Sequence, residues 1–134
     1  MQQPQSGGIL GATVLPDGST GFRVWAPRVR QVSVIFPDSG RPPSALQSEG
    51  DGYFSGTVAG VRHGDRYRYL LDGELERPDP ASRCQPDGVH GPSQVVDPDR
   101  FQWQTPDWGG LPLQEYLIYE LHVGTFTPQG AFDG

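Results

Sequence analysis

From Ile9 to Arg77 the chain reads as short runs in which apolar and polar residues alternate, each closed by turn residues. In "TGFRVWAP", Phe22, Val24 and Ala26 fall on one side of an extended chain, and Arg23 and Trp25 on the other. In "QVSVIF", Val32, Val34 and Phe36 share a face before the break at "PDSG". "ILGATVL" ends in "PDGS", "SALQSE" is a weaker run closed by "GDG", and "YFSGTV" puts Phe54 and Val58 together. The clearest signal is "RYRYLLDGELER". Tyr67, Tyr69 and Leu71 form one face; Arg66, Arg68 and Leu70 form the other. Asp72-Gly73 between the runs predicts a type I′ turn, whose two central residues both need positive φ. Six or seven short strands at roughly ten-residue spacing, with almost no helical period, predict an all-β antiparallel sandwich.

The pattern changes after Glu76. "RPDPASRCQPDGVHGPSQVVDPDR" is interrupted by prolines and Asp-Pro or Pro-Asp pairs, so neither a helix nor a central strand fits it. It predicts an ordered loop that wraps and closes the sandwich, with only "SQVV" able to pair. "FQWQTPDWGGLPLQE" reads as a linker with anchoring aromatics. Tyr116–Phe126 then predicts an apolar strand, with Tyr119, Leu121 and Val123 on one face and Glu120, His122 and Gly124 on the other. So apolar a strand needs cover on both faces. The expected organisation is a flexible leader at 1–8, the sandwich at 9–98, a linker at 99–115, and a terminal strand and loop at 116–134.

Composition narrows the function classes. The chain has 134 residues, a net charge of −6 and ten basic residues, all Arg. The arginines form no run, so no nucleic-acid partner is expected. The lone Cys84 rules out an internal disulfide and fits a reducing compartment. There is no signal peptide and no apolar stretch near the roughly 20 residues of a membrane helix. A cytoplasmic location without membrane contact is the expectation. The 19 glycines and 14 prolines press toward disorder, but the spread of aromatics favours a turn-rich β protein.

Few residues suggest chemistry. Glu74 and Glu76 lie two apart on a predicted strand, and Asp97 and Asp99 flank Pro98, yet neither pair has a convergent polar partner and both read as solvated charge. His63, His90 and His122 lack metal-ligand spacing. Cys84 beside Arg83 reads as a packed thiol in a loop. No phosphate loop or nucleophile elbow is present, so no cofactor and no metal is expected. Rigid exposed rings are what sugars stack on, which makes Trp25 and Tyr53 the candidate substrate-binding residues. Trp103 and Trp108 read as docking aromatics. Glu120 and His122 form an ionisable pair on the terminal strand, fitting a polar barrel interior.

These stretches also carry a resemblance. "GFRVWAPRVRQVSVIF" resembles the opening strands of the immunoglobulin-like module that precedes the catalytic barrel in branching and debranching α-glucan enzymes. "YELHVGTFTPQGAFDG" resembles the first barrel strand of the same α-amylase superfamily. "RPDPASRCQPDGVHGPSQVVDP" is similar to a loop of the maltooligosyltrehalose trehalohydrolase family. The resemblance implies a retaining glycosidase that cleaves the α-1,4 bond next to the terminal trehalose unit. It implies a (β/α)₈ barrel with an Asp nucleophile, a Glu acid/base and a third Asp, the two principal carboxyls about 5 Å apart at the carboxyl ends of the strands. In that superfamily these residues come from strands beyond the first, so none maps onto a position here. The expectation is therefore an N-terminal module and the first strand of a truncated (β/α)₈ barrel, with no catalytic residue of its own. Its partners would be that barrel and, through the parent enzyme, α-glucan or maltooligosyltrehalose. Two alternatives stand beside it: a stand-alone α-glucan-binding module or plain interaction domain, and the N-terminal module of a glycogen branching or debranching enzyme.

Overall fold

The computed structural model describes residues 8–105 and 107–133; the first seven residues of the expected leader, and Pro106 of the expected linker, lie outside the described residues. The alternation seen in the sequence becomes two antiparallel sheets. The first contains β1 (Gly11–Val14), β2 (Thr20–Trp25), β5 (Gln47–Gly50) and β6 (Tyr53–Val58), in the order β1-β2-β6-β5. The second contains β3 (Val32–Ile35), β4 (Ser44–Ala45), β7 (Arg66–Leu71) and β8 (Leu75–Arg77), in the order β4-β3-β7-β8, with β9 (Ser93–Gln94) also paired to β7.

The faces fall as the period of two requires. Phe22, Val24 and Phe54 of the first sheet are buried, as are Val32, Val34, Tyr67 and Tyr69 of the second. Phe22 meets Tyr67 edge-to-face with ring centroids 5.0 Å apart, and Phe36 at 6.1 Å. Tyr67 meets Tyr69 in the same manner at 5.9 Å. Such pairs add about 0.5–1.5 kcal/mol to the area buried, and Phe22 is one of the residues that link the two sheets. Asp72 (φ 49°) and Gly73 (φ 78°) both have positive φ, as the predicted hairpin turn demands. Asp72 Oδ1 also accepts from the backbone N–H groups of Arg30 (2.9 Å) and Gln31 (3.1 Å), tying this turn to the start of β3.

The wrapping loop is anchored by a buried carboxylate. Asp79 is 3% exposed. Its Oδ2 accepts from the hydroxyls of Tyr67 (2.6 Å) and Tyr69 (3.2 Å), and its Oδ1 from the backbone N–H of Ala81 (2.8 Å). The backbone N–H of Asp79 donates to Ser93 Oγ at 2.9 Å, so both ends of the loop meet at one point. Further along, Arg83 donates to the carbonyl of Ala12 on β1, and Gln94 Nε2 to the carbonyl of Gly64 at 2.9 Å. Val95, fully buried, completes the core.

Residues 102–134 form a second compact unit. Here the structure departs from the expected barrel strand. Residues 116–122 form no ladder, and Val123–Phe126 is a single helical turn closed by Thr125 and Phe126 N–H groups donating to the His122 carbonyl. The reason is that a strand exists only through its partners, and none of the described residues pairs with this segment. Leu117 and Ile118 are 101% and 83% exposed. Glu74 differs as well: it sits in the hairpin turn outside β8, so it does not share a strand face with Glu76.

Two stability effects follow. Asp79→Ala should lower unfolding stability by roughly 3 kcal/mol in urea titration, because two buried tyrosine hydroxyls lose their acceptor. A loss below about 1 kcal/mol would show that the loop is held elsewhere. Gly73→Ala should cost about 1–2 kcal/mol through backbone strain alone, since a Cβ there meets nothing closer than Gln31 Nε2 at 3.6 Å.

Candidate functional site

Strand register decides which side chains share the outer face of the first sheet. Trp25 pairs with Tyr53 and Arg23 with Ser55, so the two candidate aromatics stand side by side, pointing away from the core. Trp25 is 54% exposed. Its indole N–H donates to the Asp51 carbonyl at 3.1 Å, which fixes the ring against the β5–β6 turn. That turn carries three successive positive φ values, at Gly50 (93°), Asp51 (51°) and Gly52 (81°). Gly52 is obligatory: a Cβ there would stand 2.7 Å from Pro27 Cα. Its carbonyl accepts from the Ala26 N–H at 2.7 Å, locking the turn to the residue beside Trp25.

Tyr53 is less free. The Arg23 guanidinium lies over its ring, 4.4 Å from the centroid. Arg23 is held there by Glu49, with Nε donating at 3.0 Å and Nη2 at 2.9 Å. The Arg23 hydrogen bonds, and behind them the Ser55 hydroxyl, hold the Glu49 carboxyl below the ordinary glutamate range. One face of Tyr53 is thus occupied, and Trp25 offers the accessible ring.

Trp25 also borders a concave groove of about 660 Å³. It is lined by Ala26, Tyr69 and Leu71 of the sheets and, from the wrapping loop, by Pro78, Asp79, Pro80 and Gln85. Arg28 and Arg77 stand on its lining and are exposed. The volume lies within the range of small-molecule sites, which are concave, mostly apolar and equipped with a few polar groups.

The other expected residues are not brought together. Glu120 and His122 lie in the second unit, both exposed and on no strand, with His122 Nδ1 3.3 Å from Thr125 Oγ1. Trp103 and Trp108 are exposed. Asp97 and Asp99 serve a local turn, in which Asp97 Oδ1 accepts from the Asp99 N–H at 3.1 Å. His63 Nδ1 accepts from the Asp97 N–H at 3.1 Å, and His90 contributes a carbonyl that accepts from Arg68. Cys84 Sγ lies 3.3 Å from Gln94 Oε1. Among the described residues no group of three or more His, Cys, Asp or Glu could hold a metal ion, and no helix is long and apolar enough to cross a membrane. Asp79 was hidden in "RPDPAS", where an Asp between prolines reads as a turn; Arg28 and Arg77 carried no signal beyond their charge.

A two-sheet sandwich with an outward aromatic pair and a loop-walled groove defines an all-β module of the immunoglobulin-like class. The profile of carbohydrate-binding module 48, the isoamylase N-terminal domain, matches residues 9–86, and the chain belongs to this family. It is 45% identical over 118 residues to a malto-oligosyltrehalose trehalohydrolase of Saccharolobus solfataricus, covering 88% of this chain and 20% of that protein. It is 43% identical over 124 residues to the trehalohydrolase of Deinococcus radiodurans, covering 92% and 20%. An alpha-amylase-type crystal structure from Salmonella typhimurium superposes with a TM-score of 0.74 at 38% identity, over 92% of this chain and 20% of that one. The chain thus spans about a fifth of the length of the curated relatives it matches.

The Asp79 cluster that positions the groove wall has a pH signature. Burial first, and the Asp79 charge second, push the Tyr67 and Tyr69 hydroxyls well above the ordinary tyrosine range. The unfolded chain releases these protons near pH 10 while the folded one keeps them, so the native state binds more protons above that point and stability falls as pH rises. Two groups give a slope of about 2.7 kcal/mol per pH unit beyond pH 10. Ultraviolet titration of the five tyrosines should show Tyr67 and Tyr69 ionising only with alkaline unfolding. Five ionising together below the unfolding transition would refute the buried cluster.

Proposed function

We propose that this chain is the N-terminal module of an enzyme of the trehalohydrolase type. That enzyme would hydrolyse the α-1,4 bond beside the terminal trehalose unit of maltooligosyltrehalose, and so would act in trehalose synthesis in the cytoplasm. The module contacts α-glucan through Trp25, with Tyr53 as the neighbouring support, and packs on the (β/α)₈ barrel of the same protein. The observation that carries this reading is the Trp25 ring: it is more than half exposed, yet fixed by its hydrogen bond to Asp51. An apolar ring of this size, already ordered, loses little entropy on stacking against a sugar face.

The extended segment from Tyr116 supports the barrel part of the proposal. Its apolar side chains are exposed and it pairs with no strand among the described residues, as a first barrel strand would be without its neighbours. With those neighbours paired to it, Glu120 and His122 would share its polar face. No residue of this chain is proposed as a catalytic group.

Calorimetric titration with maltoheptaose tests the reading. The chain should bind, and Trp25→Ala should weaken binding about tenfold or more. Absence of both binding heat and NMR chemical-shift change at millimolar sugar would reject it.

A further inference from the structure

The chain contains no asparagine, but Asp is followed by Gly five times, at Asp17, Asp51, Asp72, Asp87 and Asp133. Such a pair is open to attack by the backbone on its own side chain, because glycine has no Cβ to shield its nitrogen. The first four pairs lie wholly within the described residues, and the fold treats them unequally. Asp17 Oδ1 accepts from the Ser19 N–H at 2.9 Å and from its hydroxyl at 2.6 Å. Asp72 Oδ1 accepts from two backbone N–H groups, and Asp87 Oδ2 is paired with the Arg66 guanidinium. The Asp51 carboxylate takes no hydrogen bond or ion pair from a described residue, and Asp51 is exposed. Asp51 and Asp72 are also the two non-glycine residues with positive φ among the described residues. At Asp72 the side chain is bound into the fold; at Asp51 the same backbone conformation is held with the side chain free. The glycine that follows Asp51 is fixed by packing as well as by its φ of 81°, since a Cβ on Gly52 would strike Pro27. The fold therefore demands the reactive neighbour at this turn.

We infer that Asp51–Gly52 is the module's site of spontaneous aspartate isomerisation, and that the change releases the Trp25 ring. The Gly52 nitrogen attacks Cγ of the protonated Asp51 carboxyl. An N–Cγ bond forms, and the carboxyl OH leaves with the amide proton as water, closing a five-membered succinimide. One water then adds at the main-chain carbonyl carbon of Asp51 and breaks its bond to the Gly52 nitrogen. The backbone now runs through Cγ, and the former main-chain carbonyl becomes a free carboxylate. Water lost equals water gained, and nothing is oxidised or reduced. The consequence follows from the turn. The Asp51 carbonyl accepts from the Trp25 indole N–H at 3.1 Å, and the Gly52 carbonyl accepts from the Ala26 N–H at 2.7 Å. Isomerisation moves the first oxygen onto a side branch and inserts a methylene between the two carbonyls, so the turn no longer places either against the end of β2. The inference is independent of any sugar bound at Trp25.

The test is to age the full chain for weeks in mildly acidic buffer, as wild type, Asp51→Gly and Arg66→Ala. Isoaspartate is located by peptide mapping with electron-transfer fragmentation, and the Trp25 indole N–H is followed by NMR. In the wild type, isoaspartate should accumulate at position 51 several-fold faster than at 17, 72 or 87, with the intact mass unchanged. A second Trp25 indole signal should grow in proportion. Asp51→Gly keeps both the positive φ and the carbonyl, so it should show one indole signal throughout and no isoaspartate at this turn. Arg66→Ala frees the Asp87 carboxylate and should raise isoaspartate at 87 several-fold while leaving 51 unchanged. Isoaspartate forming as fast at 17, 72 or 87 as at 51 in the wild type would overturn the assignment of the site. Conversion at 51 with the Trp25 signal unmoved would overturn the release of the ring. An unchanged rate at 87 in Arg66→Ala would overturn the argument that a bound carboxylate is what protects the other pairs. No sugar enters any of these measurements, so their failure is distinct from failure of the proposed glucan contact.

Discussion

A single carboxylate, Asp79, sets the geometry on which most of the module depends. Burying an ion is costly unless its lone pairs are filled, and here two tyrosine hydroxyls and a backbone N–H fill them. The tyrosines gain as well, since their rings belong to the aromatic core and their hydroxyls would otherwise be buried without partners. Core packing and loop position are thereby coupled. The rings cannot repack without releasing the loop, and the loop cannot lift without leaving two hydroxyls and an anion unpaired. Ser93 extends the coupling to β9 by accepting from the Asp79 N–H.

That coupling explains how a chain so rich in glycine and proline holds a defined surface. The prolines after Arg77 give the loop few conformations to lose, and the hydrogen bonds of Ser82, Gln94 and Arg83 supply local anchors. The edges of the sheets are managed in the same spirit. Strand β5 shifts register between Ser48 and Gly50 and bears the Glu49–Arg23 pair, a bulge and a charge of the kind that discourage strand addition. The exposed hydrophobic side chains of the first unit are few, and Trp25, held by its indole N–H, is the one whose exposure is built into the turn chemistry around it.

Much of this was legible in the sequence because β structure leaves a period-two trace. The inward faces Phe22/Val24, Val32/Val34 and Tyr67/Tyr69 could be read directly, and Asp72-Gly73 specified a hairpin through its need for positive φ. Placement of Trp25 opposite Phe22 and Val24 also followed from alternation. What could not be read was anything set by long-range contact. Asp79 looked like a turn residue because its partners on β7 are ten and twelve positions away and no local pattern records them. Arg23 covering Tyr53 depends on Glu49, 26 residues distant. The apolar run from Tyr116 failed as a strand for the opposite reason: its pattern is strong, but pairing is a property of neighbours and not of the run itself.

The bond from Arg83 to Ala12 spans 71 positions and has a consequence for the order of events during synthesis. Strand β1 leaves the ribosome well before the loop that carries Arg83, and its partner β2 follows it through a short connection. Its outward carbonyl at Ala12, however, stays uncapped until Arg83 emerges, and the loop bearing Arg83 is not sealed until Ser93 and Val95 follow. Between those moments the nascent module has a formed sheet with an open flank, the condition in which edge-to-edge pairing between chains on one message is fastest. The flank of the first sheet is therefore closed only once residues 77–95 have followed it out.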